Sequence, residues 1–121
     1  MVLKVLAIDD SRTIRDLLAY SLTESGFAIT LAEDGEDGLE KLDESDPDIV
    51  ITDINMPRLD GFGVIEAVRA NEKHSHKPIL VLTTESSAAM KTRARDAGAT
   101  GWIVKPFDDE ALAAAIRRVT A

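Results

Sequence analysis

The stretch Pro47-Asp48-Ile49-Val50-Ile51-Thr52-Asp53 decides how this chain folds. Ile49, Val50 and Ile51 are apolar on successive residues, whereas a strand with one wet face alternates apolar and polar side chains. An unbroken run of this kind reads as a strand covered on both faces, the habit of parallel sheets. Pro47 opens it and a carboxylate, Asp53, closes it. Three further runs repeat the design. Val5-Leu6-Ala7-Ile8 ends on Asp9-Asp10, Ile79-Leu80-Val81-Leu82 follows Pro78 and ends on Thr83, and Trp102-Ile103-Val104 ends on Lys105-Pro106.

Helical periodicity fills the intervals between these runs. After the first strand (residues 3–8), Ser11 and Thr13 are both candidate caps, with Ile14, Leu17, Leu18, Ser21 and Leu22 on one face and Gly26 as the stop. A short strand near 28–31 leads to a glycine-flanked acidic helix with Leu39 and Leu42 inward, and then to the strand at 48–52. Asp60-Gly61 opens a helix carrying Val64, Ile65 and Val68. The helix after the fourth strand turns Met90, Ala94 and Ala97 inward and Lys91 and Arg95 outward, and it stops at Gly98. The fifth strand is 101–104. Asp108-Asp109-Glu110 suits the positive end of a last helix, whose face is Leu112, Ala115, Ile116 and Val119. Alternating strands and helices of this length make an α/β (βα)₅ fold, one flavodoxin-like domain over residues 1–121. Its doubly wound parallel sheet has order 2-1-3-4-5, with two helices on one face and three on the other.

In such a sheet ligands bind beyond the carboxyl ends of the strands, at the point where the strand order reverses. Asp9-Asp10 and Asp53 end the two strands that flank that point. Three carboxylates together repel strongly, since two unit charges about 4 Å apart cost about 4 kcal/mol at an effective dielectric near 20. A cation or a bound proton has to compensate. Hard oxygen ligands without cysteine or histidine nearby select Mg²⁺. The first βα loop, Asp9-Asp10-Ser11-Arg12-Thr13, contains no glycine and is neither a P-loop nor a dinucleotide turn. Phosphate would therefore arrive beside a metal and a carboxylate able to accept it as an acyl phosphate. Lys105 and Thr83 would meet its oxygens as a point charge and a hydroxyl donor.

Composition narrows the function. A net charge of −8 argues against nucleic-acid binding. The acidity is concentrated in residues 33–48, where Lys41 is the one cation, while Lys91, Arg93, Arg95, Lys105, Arg117 and Arg118 collect in the last third. No apolar run approaches a membrane span, and the first residues lack a signal-peptide cleavage site. There is no cysteine, hence no disulfide or thiolate chemistry. These features fit a cytoplasmic chain, and a monomer is the expectation.

The motifs Ile8-Asp9-Asp10-Ser11, Thr52-Asp53-Ile54-Asn55-Met56-Pro57 through Asp60-Gly61, Leu82-Thr83-Thr84 and Val104-Lys105-Pro106-Phe107 resemble the receiver domain of two-component response regulators. The resemblance covers the whole chain. It implies that Asp53 takes a phosphoryl group from a histidine kinase, with Mg²⁺ held by Asp10, Asp53 and the Asn55 main-chain carbonyl, and by Asp9 through water. It implies catalysis by Asp53, Thr83 and Lys105 acting on the protein itself, so that the chain is a phosphoacceptor and not an enzyme on other substrates. A cis Lys105–Pro106 bond and a switch through Thr83 and an aromatic on the fifth strand also follow. That aromatic is Trp102, where the family more often has Tyr or Phe.

Asn55 and Glu85, two residues beyond the acceptor and beyond Thr83, resemble those of chemotaxis receivers. The resemblance thus points to a stand-alone chemotaxis-type regulator. It would be phosphorylated by a chemotaxis histidine kinase and would bind a target such as the flagellar motor switch through its fourth helix, fifth strand and fifth helix. Two other readings compete: an interaction module that works without phosphorylation, and a phosphohydrolase with an aspartyl-phosphate intermediate. The latter needs an acid where Asn55 stands. His74-x-His76 offers a metal pair, against which stands the expectation of a solvated loop lacking further ligands.

Overall fold

The computed structural model describes residues 2–121 and contains five strands and five helices in strict alternation. These are β1 (Lys4–Ile8), α1 (Arg12–Glu24), β2 (Ala28–Ala32), α2 (Gly35–Ser45), β3 (Ile49–Thr52), α3 (Gly61–Ala70), β4 (Ile79–Thr83), α4 (Ala88–Ala97), β5 (Gly101–Val104) and α5 (Asp109–Thr120). All strand pairs are parallel, in the order β2-β1-β3-β4-β5 expected from the sequence.

The unbroken apolar runs are explained by two cores. Val5, Ala7, Ile49, Ile51, Leu80 and Leu82 face α1 and α5, where Leu18, Leu22, Leu112 and Ile116 cover them. Their neighbours Leu6, Ile8, Val50, Ile79 and Val81 face α2, α3 and α4, against Leu42, Phe62, Ile65, Val68 and Ala94. Because successive side chains of a strand point to opposite faces, every residue of β3 and β4 is buried.

Each helix begins on a side-chain cap. Ser11, Asp34, Asp60, Ser87 and Asp108 accept the third helical N–H of α1 to α5 respectively, satisfying a donor the helix leaves open. Ser11, not Thr13, caps α1. At its other end Gly26 has φ +91°, and Gly26 and Phe27 donate to Thr23 and Leu22 carbonyls, the paired bonds of a Schellman stop.

Two sequence readings need correction. Leu17 lies on the α1 face assigned to the core but is 52% exposed, whereas its neighbours Leu18 and Leu22 are buried in the core beneath α1 and α5. His74, expected in a solvated loop, is fully buried: its Nε2 lies 2.8 Å from Asp43 Oδ1 on α2. His76 remains exposed, and among the described residues the histidines join no metal-binding cluster. Strand limits shift by a residue, β1 starting at Lys4, β2 ending at Ala32 and β3 starting at Ile49.

Candidate phosphoacceptor site

Register brings the site together. Ile8 pairs with Thr52 at the ends of β1 and β3, so Asp9 and Asp53 emerge side by side, and Asp53 N–H donates to the Ile8 carbonyl at 3.0 Å. Thr83 pairs with Val104, so Lys105 follows directly, its N–H on the Thr83 carbonyl at 2.8 Å. The Lys105–Pro106 bond is cis.

Carboxylate oxygens of Asp9, Asp10 and Asp53 all lie within 4.8 Å of one another. Asp9 and Asp53 are buried and Asp10 is exposed. The Lys105 ammonium bridges the buried pair, donating to Asp9 Oδ2 at 2.6 Å and Asp53 Oδ2 at 2.8 Å. Their other oxygens accept main-chain donors, Ser11 N–H on Asp9 Oδ1 at 2.9 Å and Ile54 N–H on Asp53 Oδ1 at 2.6 Å. Burial holds the Asp9 carboxyl above the usual carboxylate range, although Lys105 and the Ser11 N–H oppose it. Burial works against the Lys105 ammonium too, but its bonds to Asp53 and Asp9 outweigh that and raise it above an ordinary lysine.

Thr83 is fully buried at the end of β4, and its Oγ1 accepts the Glu85 N–H at 3.4 Å. Glu85 joins three of the expected residues: its carboxylate accepts from Asn55 Nδ2 at 3.1 Å, and its carbonyl accepts from Trp102 Nε1 at 3.0 Å. Trp102 is half-buried, packed against the core on the α4 side. All seven expected site residues therefore surround one end of the sheet. Two arginines had no signal in the sequence. Arg15 Nη1 donates to the Asp9 carbonyl at 2.8 Å, and Arg58 grips Asp34 beside the β3–α3 loop.

Three clustered carboxylates, all oxygen donors and partly open to solvent through Asp10, fit a hard divalent cation. An ammonium beside two of them fits an arriving anion as well. The sequence model of the response regulator receiver domain matches residues 5–117. The chain belongs to that family. It is 42% identical to a probable chemotaxis protein CheY of Rhizobium etli, over 97% of this chain and 92% of that protein. It is 40% identical to the response regulator MprA of Mycobacterium leprae over 95% of this chain, which spans only 50% of that longer protein. Among solved structures, chemotaxis protein CheY4 of Vibrio cholerae superposes with a TM-score of 0.93 at 41% identity, covering 98% of this chain and 99% of that one. Among the described residues, no helix is long and apolar enough to cross a membrane.

Proposed function

We infer that residues 1–121 act as one cytoplasmic, monomeric receiver unit whose Asp53 accepts a phosphoryl group from a histidine kinase in the presence of Mg²⁺. The observation that carries this reading is the Lys105 ammonium held between Asp9 and Asp53. It sets a mobile cation where a phosphoryl oxygen on Asp53 would emerge, with the Thr83 hydroxyl on the adjacent strand end. Asp10, Asp53 and Asp9 are the side chains that would hold Mg²⁺, with the Asn55 carbonyl. When bound, the ion would neutralise charge on the incoming phosphoryl group. The Asp53 carboxylate attacks phosphorus in line, the bond to the kinase imidazole breaks, and an acyl phosphate remains on Asp53. Lys105 then turns from carboxylate to phosphoryl oxygen, and the remaining work is positioning.

Output follows from moving Thr83 toward the new charge. Glu85 N–H rests on the Thr83 hydroxyl and Glu85 C=O on the Trp102 indole, so displacing Thr83 pulls on the β4–α4 loop and β5 together. Driving a 1:99 equilibrium to 99:1 takes about 5.5 kcal/mol. New charge-assisted bonds from Lys105 and Thr83, at roughly 1.5–3 kcal/mol each, supply most of it. The face that changes carries exposed Lys91 and Arg95 on α4. Similarity to the Rhizobium and Vibrio chemotaxis proteins supports a chemotaxis role, with a chemotaxis-type kinase upstream and an acidic protein surface, such as one on the flagellar motor switch, downstream. Lys91→Glu or Arg95→Glu then abolishes binding of the phosphorylated form.

The test follows Trp102 fluorescence during addition of Mg²⁺ and then a small acyl phosphate, with Asp53→Asn as control and intact mass as a second readout. Two successive changes, the second lost in Asp53→Asn together with the mass increase of one phosphoryl group, are expected. Unchanged fluorescence and mass would instead favour an interaction module that works without phosphorylation.

A further inference from the structure

The loop between β3 and α3 carries Asn55 and contains a backbone conformation that its sequence does not favour. Arg58 has φ +67°, in the left-handed region where a non-glycine residue is uncommon, and Leu59 N–H donates to the Pro57 carbonyl at 2.8 Å. A hydrogen bond from residue i+2 back to i around a positive φ is a γ-turn of the rare, strained kind. Strain of this sort persists only where the surroundings hold it in place.

Here the holder is Asp34. Its carboxylate is buried, and its two oxygens have separate tasks. Oδ1 accepts the Asp37 N–H at 2.8 Å and caps α2, while Oδ2 accepts Arg58 Nε at 3.0 Å and Arg58 Nη2 as well. These bonds hold the Asp34 carboxyl below the usual carboxylate range, with the Asp37 N–H the largest contributor and the guanidinium next. Gly35 adds a second hold, because a Cβ there would run into the Leu59 carbonyl. The strained residue thus grips the start of α2, three positions after Asn55.

We propose that Arg58 is a positioning residue for the metal site, latching the β3–α3 loop onto the α2 cap so that the Asn55 carbonyl stands at a fixed place beside Asp53. This deepens the receiver reading and rests on it. In the loop between Asp53 and Asp60, Ile54, Met56 and Leu59 pack against the core. Its other polar ties include the Gly61 N–H to the Ile54 carbonyl at 2.8 Å and Asn55 to Glu85, so Arg58 is the side chain that joins it to the polar start of α2. Glu36 lies 3.9 Å from Arg58 and is exposed, a weaker anchor than buried Asp34. Without the latch the loop samples other conformations, and the ligand on it must be ordered again each time a cation binds.

Substitutions separate this role from plain stability. Arg58→Gly removes the latch and also the strain, since glycine adopts positive φ freely, so the urea midpoint should stay near wild type. Asp34→Asn keeps an α2 cap, Asn being as good a cap as Asp, but turns an amide or a neutral oxygen toward Arg58. Mg²⁺ alone is titrated into each protein without any phosphodonor, following the Ile54 and Asn55 amide resonances. Each single variant should bind Mg²⁺ about tenfold more weakly, as expected for a group that orients a ligand, and the double variant no more weakly than either. Unchanged Mg²⁺ affinity in both variants, or losses that multiply in the double variant, would overturn the latch while leaving the receiver reading intact. A wild-type protein that takes up no Mg²⁺ would overturn both.

Discussion

Replacing Lys105 by Met tests whether one ammonium neutralises the acid cluster until a divalent cation arrives. The variant loses charge-assisted bonds to Asp9 and Asp53, at 2.6 and 2.8 Å, while the methylene stem keeps its packing. It also leaves these carboxylates, whose oxygens are within 4.8 Å, to repel each other. At that separation the repulsion is about 3.5 kcal/mol at an effective dielectric of 20. Breaking a buried pair on one side usually costs about 3–5 kcal/mol. Proton uptake limits the loss, because burial already holds Asp9 above its ordinary value. A loss of about 2–4 kcal/mol is therefore expected at neutral pH in EDTA. The deficit should shrink as pH falls through the folded value of Asp9, since a raised carboxyl favours the protonated, folded form on the acid side. Mg²⁺ should restore much of it. Freed from a competing ammonium, the site binds the ion more tightly, and a free concentration a hundred times the dissociation constant stabilises by about 2.7 kcal/mol. Urea unfolding followed by far-ultraviolet circular dichroism, in EDTA and in saturating Mg²⁺, measures both quantities. Equal losses in the two conditions, or no loss in EDTA, would refute the reasoning. Phosphorylation of Asp53 by a small acyl phosphate should be slowed in either case.

Three further outcomes can be checked by simpler measurements. The hydrogen bond from Lys77 holds the Asp46 carboxyl below its usual value. Its stabilising contribution is therefore present above the ordinary carboxylate range and disappears as pH falls through the folded value. Asp46→Asn should lower the urea midpoint at pH 7 and match wild type at the acid end of the profile. Leu18→Ala should cost about 2–5 kcal/mol in equilibrium unfolding, whereas Leu17→Ala, at an exposed position, should stay within about 0.5 kcal/mol. Gly38→Ala should destabilise by about 1–3 kcal/mol in the same assay, because its Cβ would press into the Ile8 side chain where α2 crosses β1. Recovery in the double variant Gly38→Ala, Ile8→Val would identify that contact as the cause.

What the sequence determined by itself is whatever depends on near neighbours along the chain. Ile49 to Ile51 announced a strand buried on both faces because successive side chains of a strand must point to opposite sides. Asp60 and Asp108 stand where their side chains reach an N–H three residues on, which is a local geometry. Strand order and the switch point follow from short crossovers of fixed hand, so the meeting of Asp9, Asp10 and Asp53 was legible as well.

Only the tertiary structure decided contacts between loops far apart in sequence. Lys105 reaches Asp9 across 96 positions, and Arg58 reaches Asp34 across 24, through side chains whose partners depend on register and on which helix end lies nearby. The same holds for burial at helix margins. Leu17 and Leu18 are equally apolar, and periodicity places both near one stripe. Packing leaves Leu17 half in solvent and Leu18 fully enclosed in the core. His74 shows the converse, since a polar loop residue became core once Asp43 of α2 supplied the hydrogen bond that burial requires. Local periodicity specifies elements and their order, while the partner of a long polar side chain is chosen only when those elements pack.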